Sequence, residues 1–111
     1  IVKCGLIQCS NPINDESVPV AEIQQAMLDK HLPMIDEAGQ KGVQILCLQE
    51  IFNGPYYCPS QDKRWYDSAE PVPDGPTTRL MQEYAKKYSM AFKVSPRLHK
   101  MLHWAPHLKE D

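Results

Sequence analysis

The chain has 111 residues, with 12 Lys and Arg against 14 Asp and Glu. That is room for one small domain, and a net charge of −2 makes no electrostatic case for nucleic acid or an anionic membrane. No apolar run approaches the roughly 20 residues needed to span a bilayer. Four cysteines, Cys4, Cys9, Cys47 and Cys58, form no C-x-x-C pair. The first three lie in or beside apolar strand patterns, so buried free thiols in a reducing, cytosolic compartment are expected rather than a disulfide framework.

Residues 1–9 read as a first strand, with Val2, Leu6 and Ile7 among small or polar neighbours. The apolar positions do not alternate cleanly, which suits a strand covered on both faces. Residues 10–19 form a polar loop in which Ser17 is a candidate N-cap and Pro19 suits a first helical turn. From Val20 the apolar positions step by three and four: Val20, Ile23, Met27, His31, Met34, Ile35 and Ala38. This predicts a helix over 20–38, closed by Gly39 or Gly42 and kinked or split at Pro33. His31 falls on the apolar face with Met27 and Ile35 four residues away, which favours a packed histidine over a metal ligand.

The run 43–48, Val-Gln-Ile-Leu-Cys-Leu, is too short for an independent helix and reads as a buried strand. A β-α-β order follows, and with it a parallel crossover. Gln49 and Glu50 stand at this strand's carboxyl end, where ligand chemistry gathers in open α/β sheets. Phe52, Tyr56 and Tyr57 around Glu50 would partly desolvate it, raising its pKa and suiting it to general-base work. The alternative is a solvated glutamate that merely ends a strand.

Residues 53–76 hold five of the ten prolines, namely Pro55, Pro59, Pro71, Pro73 and Pro76. An irregular connection is expected there, packed through Tyr56, Tyr57, Trp65 and Tyr66 at a pocket or a subunit contact. Pro76 opens a second predicted helix over 76–88, with Thr77, Leu80, Met81, Tyr84, Ala85 and Tyr88 inward. A third strand is predicted over 90–94. No phosphate-cradling glycine loop is present, and no cofactor is expected.

The segment Cys47-Leu48-Gln49-Glu50-Ile51-Phe52-Asn53-Gly54-Pro55-Tyr56-Tyr57 resembles the first catalytic segment of the nitrilase, or carbon–nitrogen hydrolase, superfamily. Its continuation, Trp65-Tyr66-Asp67-Ser68-Ala69-Glu70-Pro71-Val72-Pro73-Asp74-Gly75-Pro76-Thr77-Thr78, is most similar to the β-ureidopropionase and N-carbamoyl-amine amidohydrolase branch. The resemblance implies an α/β fold: a partial αββα sandwich, formed by an N-terminal β-α-β-α-β portion over residues 1–95 and followed by a divergent tail, 96–111. It also implies a Glu–Lys–Cys mechanism. The glutamate activates a cysteine that attacks an amide, nitrile or ureido carbon, and the lysine stabilises the tetrahedral intermediate.

Glu50 takes the place of the family's glutamate. Lys100, within His99-Lys100-Met101-Leu102-His103-Trp104-Ala105-Pro106-His107, stands nearest the family's lysine; the alternative is a solvated lysine in an irregular tail. None of the four cysteines matches the nucleophile's motif. The resemblance therefore implies an N-terminal fragment that is inactive alone, or a non-catalytic module that pairs with a related subunit or forms a homo-oligomer. A metal site on His99, His103 and His107 is a third reading from their four-residue spacing. Pro106 would disturb the helix that reading needs, and no metal is expected.

Overall fold

The structure of the protein, a computed structural model, describes residues 1–54, 57 and 59–93. Its elements run β1 (Cys4–Ile7), α1 (Val20–Gln40), β2 (Ile45–Leu48), a 3-10 helix (Lys63–Ser68), α2 (Pro76–Tyr88) and β3 (Ala91–Lys93). The three strands make one parallel sheet in the order β1-β2-β3. β1 and β2 are shorter than the runs 1–9 and 43–48 suggest. Lys100 and the tail 96–111, including His99, His103 and His107, lie outside the described residues, as do Tyr56, Cys58 and Val94.

α1 buries Ile23, Met27, His31 and Ile35, a stripe at strict four-residue steps. The helix runs on through Pro33 and is not split there. Pro33 is exposed, so its ring and the backbone group it leaves unpaired face water rather than the core. The cap also differs. Ser17 bonds back to Asp15, with its N–H at 2.9 Å and its Oγ at 2.7 Å from Oδ1, and Pro19 holds the N-cap position without a side-chain bond. At the other end, Gly42 with φ +74° closes the helix. Gly42 N donates to Gly39 O and Val43 N donates to Ala38 O, both at 3.0 Å, which is the Schellman arrangement. Gly39 stays inside the helix, where a Cβ would overlap the Tyr88 ring.

α2 ends in the same way. Ser89, in the left-handed region at φ 49°, lets Met90 N reach Ala85 O at 2.9 Å and sends the chain into β3. α1 and α2 thus both sit on one face of the sheet. The core between them gathers Ile7, Ile35, Leu46, Leu48, Phe52, Met81 and Met90. The chain is a partial αββα sandwich, with one helical layer on one sheet. On the opposite face, Cys4, Leu6, Ile45, Ala91 and Lys93 are exposed and Cys47 is half-buried. The cysteines are therefore less buried than expected, although Cys4, Cys9 and Cys47 are free thiols as anticipated.

The proline-rich connection is more regular than expected. It contains the 3-10 helix, whose Asp62 caps Arg64 N. Trp65 is 2 % exposed. Its indole N–H donates to Ser60 Oγ at 2.7 Å, the Tyr57 ring stacks on it at 5.8 Å, and the Arg64 guanidinium lies 4.3 Å from its ring centre. Gln24 Nε2 of α1 donates to Ser68 O at 3.1 Å. The prolines exclude long ladders but not a single 3-10 turn anchored by an aromatic side chain.

Candidate active site

β1 and β2 run parallel with Ile7 opposite Leu48, so Cys9 and Glu50 emerge at the same level of the sheet's carboxyl edge. Gln49 joins them, its Oε1 accepting the Cys9 backbone N–H at 2.7 Å. Immediately after Glu50 the chain turns. Ile51 takes φ +55°, a region that a β-branched residue enters only where surrounding contacts hold it. Gly54 N then donates to Ile51 O at 3.3 Å. This turn sends the side chains of Phe52 and Asn53 inward and leaves Glu50 exposed at the rim.

Of the aromatic wall expected around Glu50, Phe52 lies elsewhere and Tyr56 falls outside the described residues. Phe52, one of the residues expected to wall it, is 1 % exposed in the core. Its ring meets the edge of His31 at 5.4 Å and 74°. Tyr57 is engaged with Trp65. The sequence pattern could not separate an aromatic lining a cleft from one anchoring the loop beneath it, because both follow a strand end.

His31 is fully buried, and its Nδ1 lies 2.8 Å from Met27 O, its partner one turn back. Cys9 Sγ lies 3.5 Å from Nε2 and 3.9 Å from Nδ1. Both distances lie within hydrogen-bonding reach of a sulfur, so Cys9 and Met27 O together satisfy the buried ring. His31 is thus the packed histidine its position predicts.

Behind the turn lies a polar network that the sequence reading did not single out. Asn53 Nδ2 donates to Thr77 Oγ1 at 3.4 Å. Thr77 Oγ1 donates to Glu70 Oε1 and Thr77 N donates to Glu70 Oε2, each at 2.7 Å. The available signal was Gly75. As the N-cap of α2 it has no side chain to satisfy the first helical N–H groups, so an acceptor must come from elsewhere. Glu70, five residues earlier, supplies both oxygens. The turn that brings it there leaves no room for a Cβ at position 75, which would overlap Pro71 O and the Glu70 side chain.

Among the described residues no group of three or more His, Cys, Asp and Glu side chains could hold a metal ion. No described helix is long and apolar enough to cross a membrane.

The sequence that builds this turn and the elements around it is similar to that of known proteins. The Carbon-nitrogen hydrolase family profile aligns with residues 3–99. The chain is 44% identical over 98 residues to a beta-ureidopropionase of Arabidopsis thaliana, covering 88% of this chain and 23% of that protein. It is 37% identical over 62 residues to an N-carbamoylputrescine amidase of Solanum lycopersicum, covering 56% of this chain and 21% of that protein. An omega-amidase of Bos taurus is 38% identical over 71 residues, covering 64% of this chain and 24% of that protein. The chain therefore spans about a quarter of the length of the curated relatives it matches. The profile match over residues 3–99 and the similarity to these relatives agree: the chain belongs to the carbon-nitrogen hydrolase family.

Proposed function

We propose that the chain supplies the general-base portion of a hydrolase acting on the carbon–nitrogen bond of N-carbamoyl amines, with Glu50 as the base. The observation that carries this reading is the exposed Glu50 on the turn after β2, within a segment similar to proteins named for N-carbamoyl substrates. In the reaction, Glu50 would take the proton of a cysteine thiol. The thiolate attacks the ureido carbon, a cation stabilises the tetrahedral oxyanion, Glu50 returns its proton to the departing ammonia, and water cleaves the remaining thiocarbamate to a carbamate, which loses carbon dioxide to free the amine. Lys100 remains the proposed cation. No cysteine of the 111 residues stands in the nucleophile's family context, so residues 1–111 alone are expected not to turn over. The free thiols of Cys4, Cys9 and Cys47 support a reducing, cytosolic setting.

The test is a chimera in which residues 1–95 replace the matching segment of the Arabidopsis beta-ureidopropionase. Ammonia release from N-carbamoyl-β-alanine is expected, falling about 10²- to 10⁴-fold in the Glu50→Gln chimera. Retention of activity in Glu50→Gln would remove Glu50 from the mechanism. Turnover by residues 1–111 alone that vanishes in Glu50→Gln would instead reveal an unrecognised nucleophile, with Cys58 the first to examine.

The bare face of the sheet favours a second reading, a partner-binding module of a split or truncated hydrolase. Leu6 is 70% and Ile45 43% exposed there. Parallel sheets are almost always covered on both faces, so a related subunit or a second copy could seat on it.

A further inference from the structure

We propose that Glu70 is a positioning residue for the catalytic turn. Through Thr77 it holds Asn53, and with Asn53 the loop that carries Glu50. The case begins at the start of α2. Pro76 has no N–H, so Thr77 is the first residue of the helix with a donor to satisfy, and Gly75 offers no side chain to accept it. The Pro71–Gly75 turn, closed by Gly75 N on Pro71 O at 2.7 Å, folds Glu70 back over this end. One carboxylate oxygen takes the Thr77 backbone N–H and the other takes its hydroxyl. A carboxylate at a helix N-terminus is also favoured by the helix dipole.

A cap alone would end there, but Thr77 Oγ1 is used on both sides. It donates to Glu70 and accepts from Asn53 Nδ2, and a hydroxyl can do both at once. Asn53 is 2% and Thr77 7% exposed, so water cannot readily replace either partner. With the hydroxyl's proton committed to Glu70, its lone pairs face Asn53. The direction of each bond in the chain thus follows from the carboxylate being an acceptor on both oxygens. Asn53 is three residues from Glu50 and lies inside the turn closed by Gly54 N on Ile51 O. The consequence for catalysis rests on the reading of Glu50 as the base; the mechanical coupling does not.

The coupling is tested by NMR on the 111-residue chain, with no turnover involved, so failure of the Glu50 reading would leave the outcome interpretable. Thr77→Val keeps the shape and removes the hydroxyl. Glu70→Gln puts a donor where two acceptors are needed. Each is expected to shift the Asn53 side-chain amide resonance and to speed exchange of the Gly54 amide roughly ten- to a hundredfold, with the Ile35 and Leu46 amides unchanged. Thr77→Ser is expected to restore both signals. Unchanged Asn53 and Gly54 signals in both variants would overturn the proposal. So would equal acceleration at Ile35 and Leu46, which marks a general loss of stability, or failure of Thr77→Ser to restore the turn.

Discussion

Asp36 accepts hydrogen bonds from the Tyr88 hydroxyl and from Lys87 Nζ, joining α1 to the last turn of α2. The Tyr88 hydroxyl first, and Lys87 second, hold its carboxyl below the ordinary value of 3.8. A carboxyl whose pKa is lower when folded adds stability that is present above its unfolded pKa and is lost as pH falls through the folded value. The pair is solvent-exposed, so its contribution is screened and modest. Asp36→Asn is therefore expected to lower the urea midpoint near neutral pH, with the gap to the unsubstituted chain closing as pH falls below the ordinary carboxyl value of 3.8. Glu37 is also lowered, by its hydrogen bond to Lys41 and then by that lysine's charge. That pair lies within one turn of one helix, so Glu37→Gln should leave the α1–α2 contact intact. A gap of constant size across pH 2 to 7 would show that Asp36 acts through packing rather than charge.

At the scale of elements, α1 keeps its 21 residues despite an internal proline because tertiary packing outweighs local propensity. The buried stripe of Ile23, Met27, His31 and Ile35 crosses the proline from both sides, so breaking the helix there would unseat Ile35 from the core. Pro33 nevertheless carries a cost, since it removes one helical hydrogen bond at an exposed position. Replacing it with alanine should stabilise the chain by about 2–2.6 kcal/mol. That is the ~3 kcal/mol helix penalty of proline less the entropy alanine returns to the unfolded chain. Urea unfolding of Pro33→Ala provides the measurement, and a destabilised variant would mean that the proline shapes a contact of α1.

At the scale of the whole molecule, three parallel strands carry helices on one face and expose Cys4, Leu6, Ile45, Ala91 and Lys93 on the other. Among the described residues β1 is an edge strand, paired only with β2, a second invitation to association. The chain is expected to self-associate, and the double substitution Leu6→Lys and Ile45→Lys is expected to shift it toward monomer with its helical circular dichroism unchanged. Sedimentation velocity across a concentration series distinguishes the outcomes. A chain monomeric throughout would remove the support this face gives to partner binding.

The periodicity of α1 and α2, the β-α-β order and the place of Glu50 at a strand's carboxyl end are written locally. They depend on side-chain spacing along one element, and a helix stripe or a short apolar run carries that spacing in its own residues. Three features were not legible in that spacing. Phe52 became a core anchor against His31 rather than a wall for Glu50, because the left-handed turn at Ile51 reverses which way the next side chain points. Ser17 gave up the cap to bond the carboxylate of Asp15, two residues before it. The Glu70–Thr77–Asn53 chain spans 24 residues, and its members are unremarkable polar residues until the Pro71–Gly75 turn brings them together. Local patterns determined the elements and the candidate base. Tertiary structure alone decided what each side chain at the turn faces, because burial and hydrogen-bond satisfaction are settled between elements and not within them.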